Sequence, residues 1–135
     1  MSIRRAHMAT FPARIETVKI ALDSLHSQVD EIHLVLNEYT EIPAFLSRFS
    51  KVNPVLPKTD YKDVGKFVPR PDAEDIVFLV DDDLQYGAQY CEWMVGQATE
   101  IGWDDNVFGL HGSIYKRANG ALTRKRQLFY YETSV

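Results

Sequence analysis

Asp81, Asp82 and Asp83 follow directly on five apolar residues, Ile76 to Val80. Carboxylates two residues apart on an extended strand point the same way, ~7 Å from one another, and a turn can draw them closer. Like charges at that range repel, and each raises the other's pKa. A divalent cation relieves the repulsion, and Mg²⁺ and Mn²⁺ prefer carboxylate oxygens. The plain alternative is that aspartates shape the turn and cap the helix that follows. One or two would satisfy that need. Three in a row exceed it, which favours metal or phosphate chemistry.

The strand that ends in these acids reads as a central one, because a continuous apolar run suits a strand covered on both faces. Open α/β sheets gather their ligands at such carboxyl ends. Ahead of it, Ile3–Ala9 reads as a short first strand, and "TFPAR" as a loop. Ile15, Val18, Leu22 and Leu25 recur at three- and four-residue spacing, predicting an amphipathic helix over about Arg14–Gln28. Glu31–Leu36 is a second strand. Pro43 opens a short helix, "PAFLSRF", and "VNPVL" is a third strand that Pro54 places near an edge. Residues 57–72 carry three prolines and a glycine, an irregular segment of the kind that is usually functional or mobile. Tyr90, Met94, Ala98 and Ile101 mark a helix ending at Gly102, a C-cap. "NVFGLHGSIY" is read as another strand, Asp104 and Asp105 as a turn before it, and Asn119-Gly120 as the strongest short hairpin signal. The expected fold is one domain over 1–135. Its core, 1–112, is a three-layer α/β/α arrangement with a mostly parallel sheet, and 113–135 form a β-hairpin extension.

Composition sets limits. Of 135 residues, 45% are hydrophobic and 25% charged, within the range of water-soluble globular domains. Residues 1–112 hold 10 Lys/Arg against 18 Asp/Glu, and 113–135 hold 5 against one. An acidic body argues against nucleic acid, whose binding relies on neutralising phosphates. The basic end reads as a solvated hairpin face, or as a contact for a phosphate, an acidic lipid surface or a protein partner. No signal-peptide core and no run near the ~20 apolar residues of a membrane span is seen. The single cysteine, Cys91, precludes an internal disulfide and suits a reducing cytoplasm.

Taken in order, several motifs resemble the inverting, family 2-like glycosyltransferases of the GT-A fold, which use nucleotide-diphosphate sugars. "MATFPARIETVKIALDSLHSQVDEIHLVLN" is similar to that family's opening, "DVGKF" to its donor-binding loop, "FLVDDDLQYGAQYCEWMV" to its Asp-x-Asp strand, turn and helix, and "VFGLHGSIY" to the strand after it. The likeness covers most of residues 6–115. It implies that Thr10, Pro12 and Arg14 cradle the nucleoside, with Asn37 continuing that pocket. It implies that Asp63 contacts the base and that Lys66 approaches the phosphates. Asp83 and Asp81 would hold Mn²⁺ or Mg²⁺ against the diphosphate, and Asp82 would share the ribose or metal role. The donor base would be uracil by family habit, and the acceptor a glycan or a lipid-linked sugar.

The residues also support plainer readings. Thr10, Pro12 and Asn37 suit turns, and Arg14, Asp63 and Lys66 suit solvated charges. His111 reads first as a core histidine and second as a ligand. Tyr90, Trp93 and Trp103 read as packing groups and Cys91 as a small buried one. The family's acceptor half and its general base would lie beyond "LFYYETSV", and Glu132 is the only late carboxylate. No catalytic base is therefore assigned. The chain is expected to be a donor-binding half, a minimal form, or a subunit sharing an acceptor site with another copy through an open sheet edge. Two alternatives stand beside a transferase: a non-catalytic nucleotide- or metal-binding module, and a metal-dependent phosphatase. The phosphatase pattern wants Thr or Val two residues after its second Asp, where this chain has Gln85.

Overall fold

The computed structural model of the chain describes residues 2–104, 106–118 and 121–128. Asp105, the Asn119-Gly120 turn signal and Glu132 lie outside the described residues. The chain divides into two compact units, Met1–Trp93 and Met94–Val135.

The first unit is built on a four-stranded, all-parallel sheet, so the chain is of mixed α/β class. Its strands are β1 (Arg4–Thr10), β2 (Glu31–Leu36), β3 (Val52–Val55) and β4 (Ile76–Leu79), in the spatial order β3-β2-β1-β4. Helix α1 (Ile15–Leu25) joins β1 to β2. It is entered through a 3₁₀ turn, Pro12–Arg14, where proline's fixed φ suits the first helical position. Its stripe of Val18, Ala21, Leu22 and Leu25 is fully buried. The helix stops short of the expected Gln28, and that side chain serves elsewhere. Ala6, Met8, Ile32 and Leu34, paired across β1 and β2, fill the core with them.

The opposite sheet face carries Ala9 and Val35. A 3₁₀ segment, Lys62–Phe67, lies against it so closely that a Cβ on Gly65 would come within 3.2 Å of both Ala9 Cβ and Val35 Cγ1. Glycine is what permits this approach. His7, on the same face, is 2% exposed. Burial first, then the neighbouring His33 ring, pulls its pKa down to about 4, against a hydrogen bond with the Lys66 backbone.

Two expectations need correction here. Ile76–Val80 is not a central strand: β4 pairs with β1 alone among the described residues, and Leu79 is 45% exposed. An apolar run says nothing about hydrogen bonding along the two edges, and the exposure of Leu79 shows that it does not assure cover on both faces either. Edge placement of the Pro54 strand is as expected, since among the described residues β3 pairs with β2 only. Helix α2 (Tyr90–Ile101) ends at Gly102, whose φ of +113° is the left-handed cap that glycine supplies. Cys91 is fully buried, and Trp93, at 41% exposed, is not a core residue.

In the second unit, β5 (Gly112–Ala118) and β6 (Ala121–Leu128) form an antiparallel hairpin with a register irregularity between Ile114 and Tyr115. "NVFGLHGSIY" is strand only from Gly112, where the ladder with β6 begins at Leu128. Val107 is almost fully exposed, and Trp103 and His111 are exposed, so neither Trp103 nor His111 is a core residue. No helix among the described residues is long and apolar enough to cross a membrane.

Candidate functional site

The strand order makes one place in the first unit special. From β1 the chain runs outward to β2 and β3, then returns to place β4 on the other side of β1. The loops after β1 and β4 therefore diverge, and the crevice between such loops is where open parallel sheets bind ligands. A cavity of about 460 Å³ lies there. One wall carries Thr10, Phe11 and Arg14, and another Asp81, Asp82 and Asp83. The far side holds Asn37, Glu38, Asp60, Lys62 and Asp63.

The acid wall is held by paired charges. Thr10 Oγ1 donates to Asp82 Oδ2 at 2.7 Å, bridging β1's end to the loop after β4. Arg14 Nη1 donates to Asp83 Oδ2 and lies 4.0 Å from Asp82 Oδ1. Its guanidinium also lies 5.8 Å from the centre of the Phe11 ring. Lys66 Nζ reaches Asp81 Oδ1 at 2.6 Å and Asp63 Oδ1 at 2.9 Å. Burial raises the Asp82 pKa, with the Thr10 hydroxyl and Arg14 pulling the other way. Arg14 is raised by its hydrogen bond to Asp83 and that carboxylate's charge. Burial works against a charged Lys66, but the bonds to Asp81 and Asp63 together outweigh it, and its pKa rises.

Behind the acids, a strap ties the loop to α1. The Tyr86 hydroxyl accepts from Asp81 N at 2.7 Å and donates to Asp81 O at 3.3 Å. Ser24 Oγ accepts from Tyr86 N at 3.0 Å. Gln28 Nε2 donates to Gly87 O at 2.9 Å, while its Oε1 accepts from Cys91 N at 3.1 Å. Burial drives the Tyr86 pKa upward, so the phenol keeps its proton and its donor role. Ser24 and Gln28 belong to the Ser-Leu-x-x-Gln end of the family-like opening stretch, but their role as a strap was not legible there, and nothing in the sequence pattern marks Tyr86.

The opposite side is built from backbone contacts. Asn37 is 3% exposed, with Nδ2 donating to Lys62 O at 2.8 Å and Oδ1 accepting from Tyr61 N at 3.0 Å. It is thus a clasp on the 60–63 loop, with its carbonyl already committed. Lys62 has a positive φ of 49°, which its surroundings enforce: Asp60 accepts from its backbone N at 2.8 Å and its Nζ at 3.0 Å. Lys62 in turn holds the Asp60 carboxyl below its usual range. Glu38, Asp60 and Lys62 were not singled out from the sequence; for Asp60 and Lys62 the charge density of the 57–72 loop was the available signal. Tyr39 went unmarked as well. Its hydroxyl is buried without a hydrogen-bond partner among the described residues, and burial together with the Asp82 charge raises its pKa.

Of the expected site residues, Thr10, Arg14, Asn37, Asp63, Asp81, Asp82 and Asp83 line the cavity, and Lys66 joins it through Asp81. Pro12 starts the 3₁₀ turn beside it. His111 belongs to the second unit. Among the described residues no group of three or more His, Cys, Asp or Glu is placed to hold a metal ion by itself. Asp82 and Asp83 already converge on one positive group, the Arg14 guanidinium, and Mg²⁺ or Mn²⁺ is commonly held by one or two carboxylates plus ligand phosphates.

No protein-family model matches the chain, and no curated protein matches it.

Proposed function

We propose that the cavity binds the diphosphate of a nucleotide-diphosphate sugar with Mn²⁺ or Mg²⁺. On this reading the chain is a GT-A glycosyltransferase of the inverting, family 2-like kind, or its donor-binding half, acting on a glycan or lipid-linked acceptor. One observation carries the reading. Asp81, Asp82 and Asp83 line one cavity together with Arg14, and Lys66 reaches it through Asp81, at the point where the order of a parallel sheet reverses. The resemblance of the ordered motifs supports the same assignment.

Each group then has a task. Asp82 and Asp83 would hold the metal, and Asp81 would complete its surroundings. The metal, when bound, supplies charge neutralisation for the departing nucleoside diphosphate. Arg14 offers a planar fork suited to phosphate oxygens, and Lys66 a point charge. Thr10 fixes the orientation of Asp82 through its hydroxyl. The half-exposed Phe11 ring gives an apolar face for a base to lie against. Asn37 acts indirectly, by holding the 60–63 loop in place.

The test is a donor-turnover assay with UDP-sugars and Mn²⁺, scoring both transfer and hydrolysis. The proposal expects slow release of UDP that disappears in Asp83→Ala. Release of inorganic phosphate from small phosphoesters, with UDP-sugars untouched, would favour a phosphatase and overturn it.

A further inference from the structure

We propose that the 3₁₀ segment Lys62–Phe67, with its flanks, docks on an anionic lipid surface. The segment has an inner and an outer side. Inward, Gly65 meets Ala9 and Val35, and Lys66 turns to Asp81. Residues three apart on a 3₁₀ turn fall on one line. Val64 and Phe67 therefore share a side, and that side faces water: they are 61% and 65% exposed. Tyr61 just ahead of the segment and Val68 just after it are exposed as well. Leu79, the register partner of His7 on the sheet face that the segment covers, is also open to solvent. Apolar groups exposed in one neighbourhood mark a contact surface.

Charge indicates what covers it. Residues 57–70 hold four cations, Lys58, Lys62, Lys66 and Arg70, against two acids, Asp60 and Asp63. Both acids are paired, Asp60 with Lys62 at 3.0 Å and Asp63 with Lys66 at 2.9 Å, and Lys66 also serves Asp81. Just beyond the stretch, Asp72 and Asp75 face Arg5. Lys58 and Arg70 are exposed at its two ends, on either side of the apolar groups. An anionic bilayer interface accommodates this arrangement. Phe67, Val64 and Tyr61 would enter the acyl boundary, while the cations reach the headgroups on their flexible stems. So few groups give reversible binding on the surface and no span. The contact does not depend on what fills the cavity. On the donor reading above, it favours a lipid-linked acceptor over a soluble glycan.

The experiment is co-sedimentation of the full chain with vesicles of phosphatidylcholine alone, or mixed with phosphatidylglycerol, at low and high NaCl. Three paired variants accompany the native protein: Val64→Ser with Phe67→Ser, Lys58→Glu with Arg70→Glu, and Arg117→Glu with Arg124→Glu in the basic hairpin. All six side chains are exposed, and melting temperatures check that each variant folds. Native protein is expected to bind the mixed vesicles roughly tenfold tighter than phosphatidylcholine alone, and salt should weaken that binding. The Val64/Phe67 and Lys58/Arg70 pairs should each lose binding several-fold, and the hairpin pair should keep it. Native protein that ignores the mixed vesicles at low salt would overturn the proposal. So would binding that survives in both segment variants, or that is lost only in the hairpin pair. A native dimer that Val64→Ser with Phe67→Ser turns into a monomer, with no vesicle binding, would assign the surface to a second copy instead. Vesicle binding together with no response to UDP and Mn²⁺ would sink the donor reading and leave this contact standing.

Discussion

At the Asn37 end of the cavity, polar atoms are buried and committed to backbone partners. At the Asp81–Asp83 end they are paired side chain to side chain, partly in solvent. Both ends put polar groups into one pocket, yet they differ in what breaking a bond leaves behind. Losing the Asn37 amide strands a backbone N–H and a carbonyl that the fold positioned for it. Losing the Arg14–Asp83 pair leaves two charged groups that water or a ligand can take up, and exposed ion pairs are worth little to stability. The first end is therefore scaffold, and the second is free to exchange partners.

The comparison can be broken by measuring stability at each end. The largest effect belongs to His7, beneath the Lys62–Phe67 segment that forms the committed side. Its folded pKa, about 4, lies below the ordinary 6.5, so the unfolded chain binds the proton more readily. The stability it contributes is complete above pH 6.5 and is lost as the pH falls toward 4. By linkage this loss amounts to about 3 kcal/mol. Urea unfolding at pH 7, 5 and 4 should show this slope in native protein and a flatter one in His7→Leu. Equal slopes would remove His7 from the account.

Asn37→Ala comes next, with an expected loss of about 2 kcal/mol in the same urea measurement at pH 7, because two backbone groups lose their shared partner. Gly65→Ala should cost roughly 1 kcal/mol, since its Cβ would press on Ala9 and Val35 at 3.2 Å. The smallest stability effect belongs to Arg14→Gln, whose melting temperature should match the native value while UDP binding with Mn²⁺ weakens. An Arg14→Gln protein as unstable as Asn37→Ala would erase the distinction between the two ends.

The same contrast separates what was legible in the sequence from what was not. Periodicity located α1 and β2, because face burial leaves a direct trace in residue type. The lateral position of β4 left none: Ile76–Leu79 would read the same with one strand neighbour or two. The stretch 106–111 failed as strand for a related reason, since strand length follows the ladder and the described pairing begins at Gly112. In the site, the charged groups Arg14, Lys66 and the three aspartates were visible as charges in the right order. Asn37 was visible as a polar group at a strand end, but not as a clasp whose carbonyl is spent on Tyr61. Tyr86 was invisible, and Ser24 and Gln28 were visible only as a motif at the helix end and not as a strap, because these roles depend on contacts 59 to 63 residues apart in the chain.

The central claim, that this cavity takes a diphosphate and a divalent cation together, is tested most directly by the melting temperature against a panel of nucleoside diphosphates, each with and without Mn²⁺. A ligand that binds only the folded state raises that temperature by mass action. The account predicts a clear rise for at least one nucleoside diphosphate with Mn²⁺, and little for either component alone. A flat response across the whole panel would contradict it.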